Sequence, residues 1–333
     1  MPSNSLTLNN PVTIDLHTHL RGTLTPATAK LLAEKNEISI PSSYFDAEKG
    51  YRYEGFEEFL SVYDKVGAVV RTKGDIEKLT IEHLVRSGSH GTRYIEFMVS
   101  PDHGNENGIS TKDQFDAIAN GLAKAKKVVD IEATVIATAV RHKGSEVALK
   151  LAEELYDLDH PIVSGFGLTG NERVGKIDEF AGAFYVAKLR GLGLTAHVGE
   201  WTDAKSILTA IEALSLDRIG HGVSAIEDTC ILNEIVERQI GFEVCPSSNI
   251  YLGRFKSLAE HPIAQMIEAG CKVTIATDDP AYFHTSPAQE YIKIQDSFKL
   301  SDAQIRKISL NAIELAFCSN QIKNKLKAHL QKI

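Results

Sequence analysis

Eight short runs rich in β-branched and apolar residues recur along the chain, and amphipathic helical patterns separate most of them. The runs fall at residues 12–19, 92–100, 131–140, 161–168, 193–200, 218–222, 240–248 and 272–279. Each is nearly continuous in apolar character, as in "IEATVIATAV" at 131–140. Strands buried on both faces read this way, whereas half-exposed strands alternate. Apolar residues return at three- and four-residue steps in 57–70, 145–158, 204–215, 228–239 and 262–270, the last opening on Pro262 and closing on Gly270. Strand and helix alternate eight times with no Pro/Gly/Ser linker. That pattern predicts an α/β fold, a parallel (β/α)8 barrel forming one domain over residues 1–333. A doubly wound open sheet is the competing arrangement. The piece at about 20–91, between the first two runs, is far longer than an ordinary barrel connection. It follows the C-terminal end of the first strand, so it is expected to be a lid-like helical insertion over the barrel mouth.

Composition narrows the function classes. With 43% hydrophobic residues among 333, the chain can bury a large core. A formal charge of -8 argues against a nucleic-acid-binding surface. Cys230, Cys245, Cys271 and Cys318 form no CxxC pair and lie in apolar neighbourhoods. They read as reduced, mostly buried thiols, which suits a cytoplasmic location. The opening "MPSNSLTLNN" lacks the basic and apolar segments of a signal peptide. No apolar stretch approaches the ~20 residues of a membrane span, so no membrane partner is expected.

The polar residues inside these apolar runs fall at their ends. "IDLHTHLRGT" carries His17 and His19. Residues two apart on a strand point to one side, about 6.8 Å apart along the chain. Both imidazoles can therefore reach one ion at the barrel mouth. "AHVGE" offers His197 and Glu200, "IGHG" offers His221, and "TDDP" offers Asp278 and Asp279. Polar groups at the C-terminal ends of barrel strands read as catalytic. Three histidines and a carboxylate suit zinc, although the same ligands accept iron or cobalt. The plain alternative is a set of groups that only hydrogen-bond the barrel mouth.

At these residues the sequence resembles the adenosine deaminase family of metal-dependent amidohydrolases. The resemblance rests on "DLHTHLRGT", "YIEFMVSPDH", "GFGLTGNE", "HVGE", "RIGHG", "EVCPSSN" and "TDDP", which stand in the family's order over nearly the whole chain. It implies a (β/α)8 barrel and one zinc ion held by His17, His19, His197 and Asp278. It implies that Glu200 protonates the purine ring at N1 and that His221, aided by Asp278, holds the attacking water. It further implies that Asp279 meets N7 and that the backbone of Gly170 meets N3. The substrate is then a small 6-aminopurine, adenosine by default. "GFGLTGNE" has no lysine before Lys176 to bridge a second metal, and Cys245 in "VCPSSN" is not expected to bind zinc.

The sequence departs from the family at Arg21, where an acidic residue that meets the ribose hydroxyl is usual. A guanidinium there suits an anionic substituent on the substrate, or an internal salt bridge to Glu54 or Glu57. Val198 and Asn171 replace the usual alanine and aspartate. Together these changes leave adenine, or an adenosine bearing an anionic group, as alternatives to adenosine. Phe59, Tyr63 and Trp201 are candidates for a wall around the purine, and His103 for a loop brace. Two remoter readings are a barrel hydrolase acting on amides, lactones or phosphoesters, and a non-catalytic binding barrel.

Overall fold

The computed structural model describes residues 12–46 and 50–332; the N-terminal decapeptide considered above lies outside them. Eight parallel strands form one sheet in chain order. They are β1 (Thr13–His19), β2 (Thr92–Val99), β3 (Glu132–Val140), β4 (Val163–Thr169), β5 (Gly193–Val198), β6 (Arg218–His221), β7 (Gly241–Val244) and β8 (Lys272–Ile275). The sheet closes through the segment that follows β8. His19 N–H donates to the Asp278 carbonyl at 2.9 Å, and Asp278 N–H donates to the His17 carbonyl at 2.8 Å. Thr18 and Thr277 join their hydroxyls across the same seam at 2.9 Å. The fold is a (β/α)8 barrel, and the free edges of an open sheet are absent where this seam forms.

Alternation along β1 shows how the strands serve two layers. Ile14 and Leu16 pack outward with Ala312 and Ile313, while His17 and His19 face the other way, into the mouth. The principal helices are α1 (Pro26–Lys35), α2 (Gly55–Gly67), α3 (Lys73–Ser89), α4 (Thr111–Ala125), α5 (Ser145–Leu158), α6 (Ala181–Leu189) and α7 (Ala204–Leu214). Then follow α8 (Thr229–Glu237), α9 (Pro246–Tyr251), α10 (Ile263–Glu268), α11 (Pro287–Phe298), α12 (Asp302–Leu315) and α13 (Asn320–Gln331). Not all of the 20–91 piece lies over the mouth. Its last helix, α3, starts at a Thr72/Asp75 capping box and packs beside α4 in the outer ring. Of its helices, α2 contributes residues to the cavity at the mouth.

Several strands end earlier than the apolar runs suggest. The run at 240–248 splits into β7 and α9, because Pro246 occupies the first turn of a helix. β8 stops at Ile275; beyond it Asp278 bridges to Thr18 and Asp279 lies in the bend that follows. Cys245 and Cys271 are buried, but Cys318 is only partly so and Cys230 is exposed near the start of α8. All four cysteines are free. Among the described residues no helix is long and apolar enough to cross a membrane.

The barrel interior holds a buried ion cluster. The Arg218 side chain has no solvent exposure and donates to Glu243 Oε1 at 2.5 Å, Glu96 Oε2 at 2.6 Å and the Leu315 carbonyl at 2.8 Å. Its guanidinium lies 3.5 Å over the Phe317 ring, and Phe317 N–H donates to Glu96 Oε1 at 2.6 Å. The turn between α12 and α13 thereby meets charged groups inside the barrel.

Candidate active site

The ends of β1, β5, β6 and the turn after β8 converge. His17 Nε2 lies 3.0 Å from His197 Nε2, and His19 Nε2 lies 3.2 Å from the same atom. Asp278 Oδ1 stands 3.2 Å from His19 Nε2 and 3.7 Å from His17 Nε2. Two of these rings have their other nitrogen committed as a donor. His17 Nδ1 donates to Glu243 Oε2 at 2.7 Å, and His197 Nδ1 donates to the Leu168 carbonyl at 2.9 Å. In the neutral rings the Nε2 lone pairs then face each other, which is repulsive unless a cation lies between them. Ligands about 2.1 Å from one ion and roughly 90–110° apart lie about 3.0–3.4 Å from each other. The spacing and chemistry of this donor set fit a divalent metal. Burial, and then the neighbouring histidines, push the His197 pKa well below its ordinary value, which keeps that ring neutral and able to ligate.

His221 joins this cluster, with a ring nitrogen within 4.8 Å of ligand atoms of His17, His197 and Asp278. Its Nε2 is 3.8 Å from Asp278 Oδ2, the oxygen that also accepts from Ser248 Oγ at 2.6 Å. Its Nδ1 is 3.8 Å from Glu200 Oε1. Backbone conformation at the mouth is unusual. His221 and Asp278 have φ of 60° and 61°, a left-handed region that non-glycine residues rarely occupy. At Asp278 this geometry lets two adjacent aspartates face one site. Asp279 leaves its Oδ1 buried with no partner among the described residues. A Cβ on Gly22 would lie 2.7 Å from the Asp279 backbone, so the chain after β1 needs glycine to pass there.

Electrostatics separate the three carboxyl groups. Burial pushes the Glu200 pKa well above the usual carboxylate range, and the like charges of Asp278 and Glu172 add to the shift. Burial and then Asp278 raise Asp279 in the same way. For Asp278, burial is outweighed by the His19 contact and the nearby His221, and its pKa falls well below normal. The site therefore pairs a proton-bearing carboxyl with an ionised one.

A family model described as adenosine deaminase matches residues 12–333. The chain belongs to the adenosine deaminase family. The adenine deaminase of Chelativorans sp. (strain BNC1) is 38% identical over 319 residues, covering 96% of this chain and 98% of that protein. The adenine deaminase of Rhizobium rhizogenes is 39% identical over 317 residues, covering 95% and 98%. The crystal structure of adenine deaminase from Arthrobacter aurescens superposes with a TM-score of 0.89 at 28% identity, over 97% of this chain and 98% of that one. The chain is a hydrolytic deaminase acting on a small purine, and amidohydrolase deaminases of this family depend on a metal.

Around the deaminase site a cavity is lined by His19, Gly170, His197, Glu200, His221, Asp278 and Asp279, with Phe56, Phe59, Leu60 and Tyr63 of α2. Trp201 does not line it; its ring packs on Phe56 at 5.3 Å and lies under Arg173. His103 does line it, 4.0 Å from Asp64, and burial lowers its pKa to about 3. Arg21 lies elsewhere. Its side chain lines a neighbouring cavity and sits against Gly67, where a Cβ would come within 3.1 Å of its Nη1. It makes no ion pair with Glu54 or Glu57 or with any other described residue; Glu57 lies 3.9 Å from Arg173. Cys245 is buried, with its Sγ donating to the Glu243 carbonyl at 3.6 Å.

Sequence reasoning passed over several residues that hold this site. The Glu172 carboxylate accepts from the backbone N–H of Gly199, Glu200 and Trp201 at 2.8, 2.8 and 2.6 Å and from the Thr202 hydroxyl at 2.6 Å. It thereby ties the turn that carries Glu200 to the loop that carries Gly170. Glu243 fixes the tautomer of His17, and a carboxylate inside the apolar run "IGFEVC" is a signal that could have marked it. Glu243→Gln is expected to weaken metal affinity about 10–100-fold. Competition against a chelator measures this, and an unchanged affinity would show that His17 needs no such support.

Proposed function

We propose that the chain is a zinc-dependent adenine aminohydrolase, in which water replaces the 6-amino group of adenine to give hypoxanthine and ammonia. Adenosine, the default from the sequence, gives way to the free base. One observation carries that choice. The position at which the family resemblance places a ribose contact holds Arg21, and Arg21 does not line the cavity beside the metal ligands. The names of the two curated relatives point the same way. Zinc is supported by the donor set of three imidazoles and one carboxylate.

His17, His19, His197 and Asp278 would hold the metal. A zinc ion held there would lower the pKa of water to about 7 and so supply hydroxide near neutrality. Glu200, kept protonated by burial, donates its proton to N1. The aromatic ring resists attack, and protonation makes C6 electrophilic. Ionised Asp278 accepts a proton of the attacking water, and His221 Nε2, 3.8 Å from Asp278 Oδ2, reaches the same water. The C6–O bond forms as the C6–N bond breaks; the Glu200 proton stays on N1, one proton of the water passes to the departing nitrogen, which leaves as ammonia, and the other restores the Glu200 acid. Asp279 offers its free oxygen to N7 and Gly170 its backbone to N3. The apolar faces of α2 residues Phe59 and Leu60 exclude water from the ring.

Ammonia release from adenine, adenosine, adenosine monophosphate and modified adenosines tests the reading. Adenine is expected to exceed adenosine in kcat/KM by on the order of a hundredfold. A second reading, an anion-bearing adenosine, draws on the unpaired Arg21 in the adjoining cavity, which shares His19, Tyr63, Ser100 and His103 with the first. Preference for the monophosphate, lost in Arg21→Ala, would establish that reading in place of adenine.

A further inference from the structure

Two buried polar residues that the reaction above leaves unused are connected to Glu200. Asn249, on α9, has no solvent exposure, and His261, just before α10, has 3%. Ile263 N–H lies 3.2 Å from His261 Nδ1 and can only donate to it. Nδ1 therefore presents its lone pair, and the proton of the neutral ring is on Nε2. Burial, reinforced by His221, keeps this ring neutral by lowering its pKa to about 3. His261 Nε2 is 3.1 Å from Asn249 Oδ1, so the ring donates and the amide orientation follows. Asn249 Nδ2 must point the other way. It donates to Glu200 Oε1 at 2.9 Å and stands 3.4 Å from His221 Nδ1. Donation runs in one direction, from the backbone of Ile263 through the ring and the amide to one oxygen of Glu200.

We propose that His261 and Asn249 form a positioning relay that fixes which oxygen of Glu200 carries the transferable proton, reserving Oε1 as an acceptor and leaving Oε2 to face the ring nitrogen. The relay rests on the reading of Glu200 as the acid. Neither residue lines the substrate cavity, so both act through Glu200 rather than on the purine. A reversed amide would turn Asn249 Oδ1 toward Glu200. It would then draw the proton onto the oxygen that points away from the substrate, and the acid would be present but aimed wrongly. The tautomer of His261, set by one backbone N–H, excludes that arrangement. The same amide nitrogen stands near His221, so one group registers the acid against the residue that holds the water.

The test uses the metal-loaded full-length protein with its best substrate from the panel. Asn249→Ala is expected to lower kcat about a hundredfold, with KM changed less than about threefold and metal content unchanged. His261→Phe keeps the ring packing against Phe255 but loses the donor, and a fall in kcat of about tenfold is expected. His261→Gln, which restores an N–H donor, should recover most of that loss. The double variant should be no slower than Asn249→Ala, because both changes break one chain. Multiplicative losses, or no rescue by glutamine, would overturn the relay. If Asn249→Ala does not fold, Asn249→Asp replaces it; the shape is kept, the donor to Glu200 is gone, and the same loss is expected. Glu200→Gln is measured alongside. Full activity there would remove the acid assignment and the relay with it. An inactive Glu200→Gln beside a fully active Asn249 variant would overturn the relay alone.

Discussion

Glu200→Gln is expected to lower kcat by about 10²–10⁴-fold while metal content and thermal stability stay near those of the parent. The amide matches the carboxyl in shape and can still accept from Asn249 through one oxygen. It has no proton to give at neutral pH. The pH profile supplies a second readout. Burial holds Glu200 in its protonated form well above the usual carboxylate range. Activity that depends on that proton is present below the raised pKa and falls as pH rises through it. The alkaline limb should disappear from whatever residual rate Glu200→Gln retains. A variant that keeps both the rate and the limb would mean that another group protonates the ring.

The second large effect concerns stability. Arg218→Met should destabilise the fold by about 3–5 kcal/mol, because one cation compensates two carboxylates buried with it. Glu96 and Glu243 have no solvent exposure, and neither has another arginine or lysine within bonding distance among the described residues. The Glu243 carboxylate, which Arg218 and His17 hold down to about 2 against the effect of burial, would lose its main counter-charge. A shift of the urea midpoint at constant slope would report the loss. A change below about 1 kcal/mol would show that the cluster relaxes or takes up protons at little cost. Replacing Arg218, Glu96 and Glu243 together by apolar groups should cost less than Arg218→Met alone, since no charge is then stranded.

The parts of this enzyme that were legible in sequence share a physical cause. Strands buried on both faces are continuous apolar runs, so the eightfold alternation exposed the barrel. Histidines and acids at the ends of such runs have few structural reasons to be there, so His17, His19, His197, His221 and Asp278 stood out. Strand ends were harder. The run at 240–248 passes through a proline that starts a helix, so the helix that carries Asn249, one residue beyond the run, was not seen. Glu172 lies three residues past β4 and looks like any loop acid; its meaning depends on a turn nearly thirty residues away. His261 is meaningful only through Asn249. Arg21 was visible as a departure, but its direction was not, because the space beside Gly67 is created by packing between α2 and the 3-10 turn that follows β1.

The place where the barrel closes has a consequence for how the empty and loaded proteins differ. The two backbone bonds that join the first strand to the chain after the last one involve His17, His19 and Asp278, whose side chains face a single point. A cation gripping those side chains would also clasp the ring, like the buckle of a belt. Its binding energy would then add directly to resistance against unfolding, and stripping it would loosen the girdle at its one fastening.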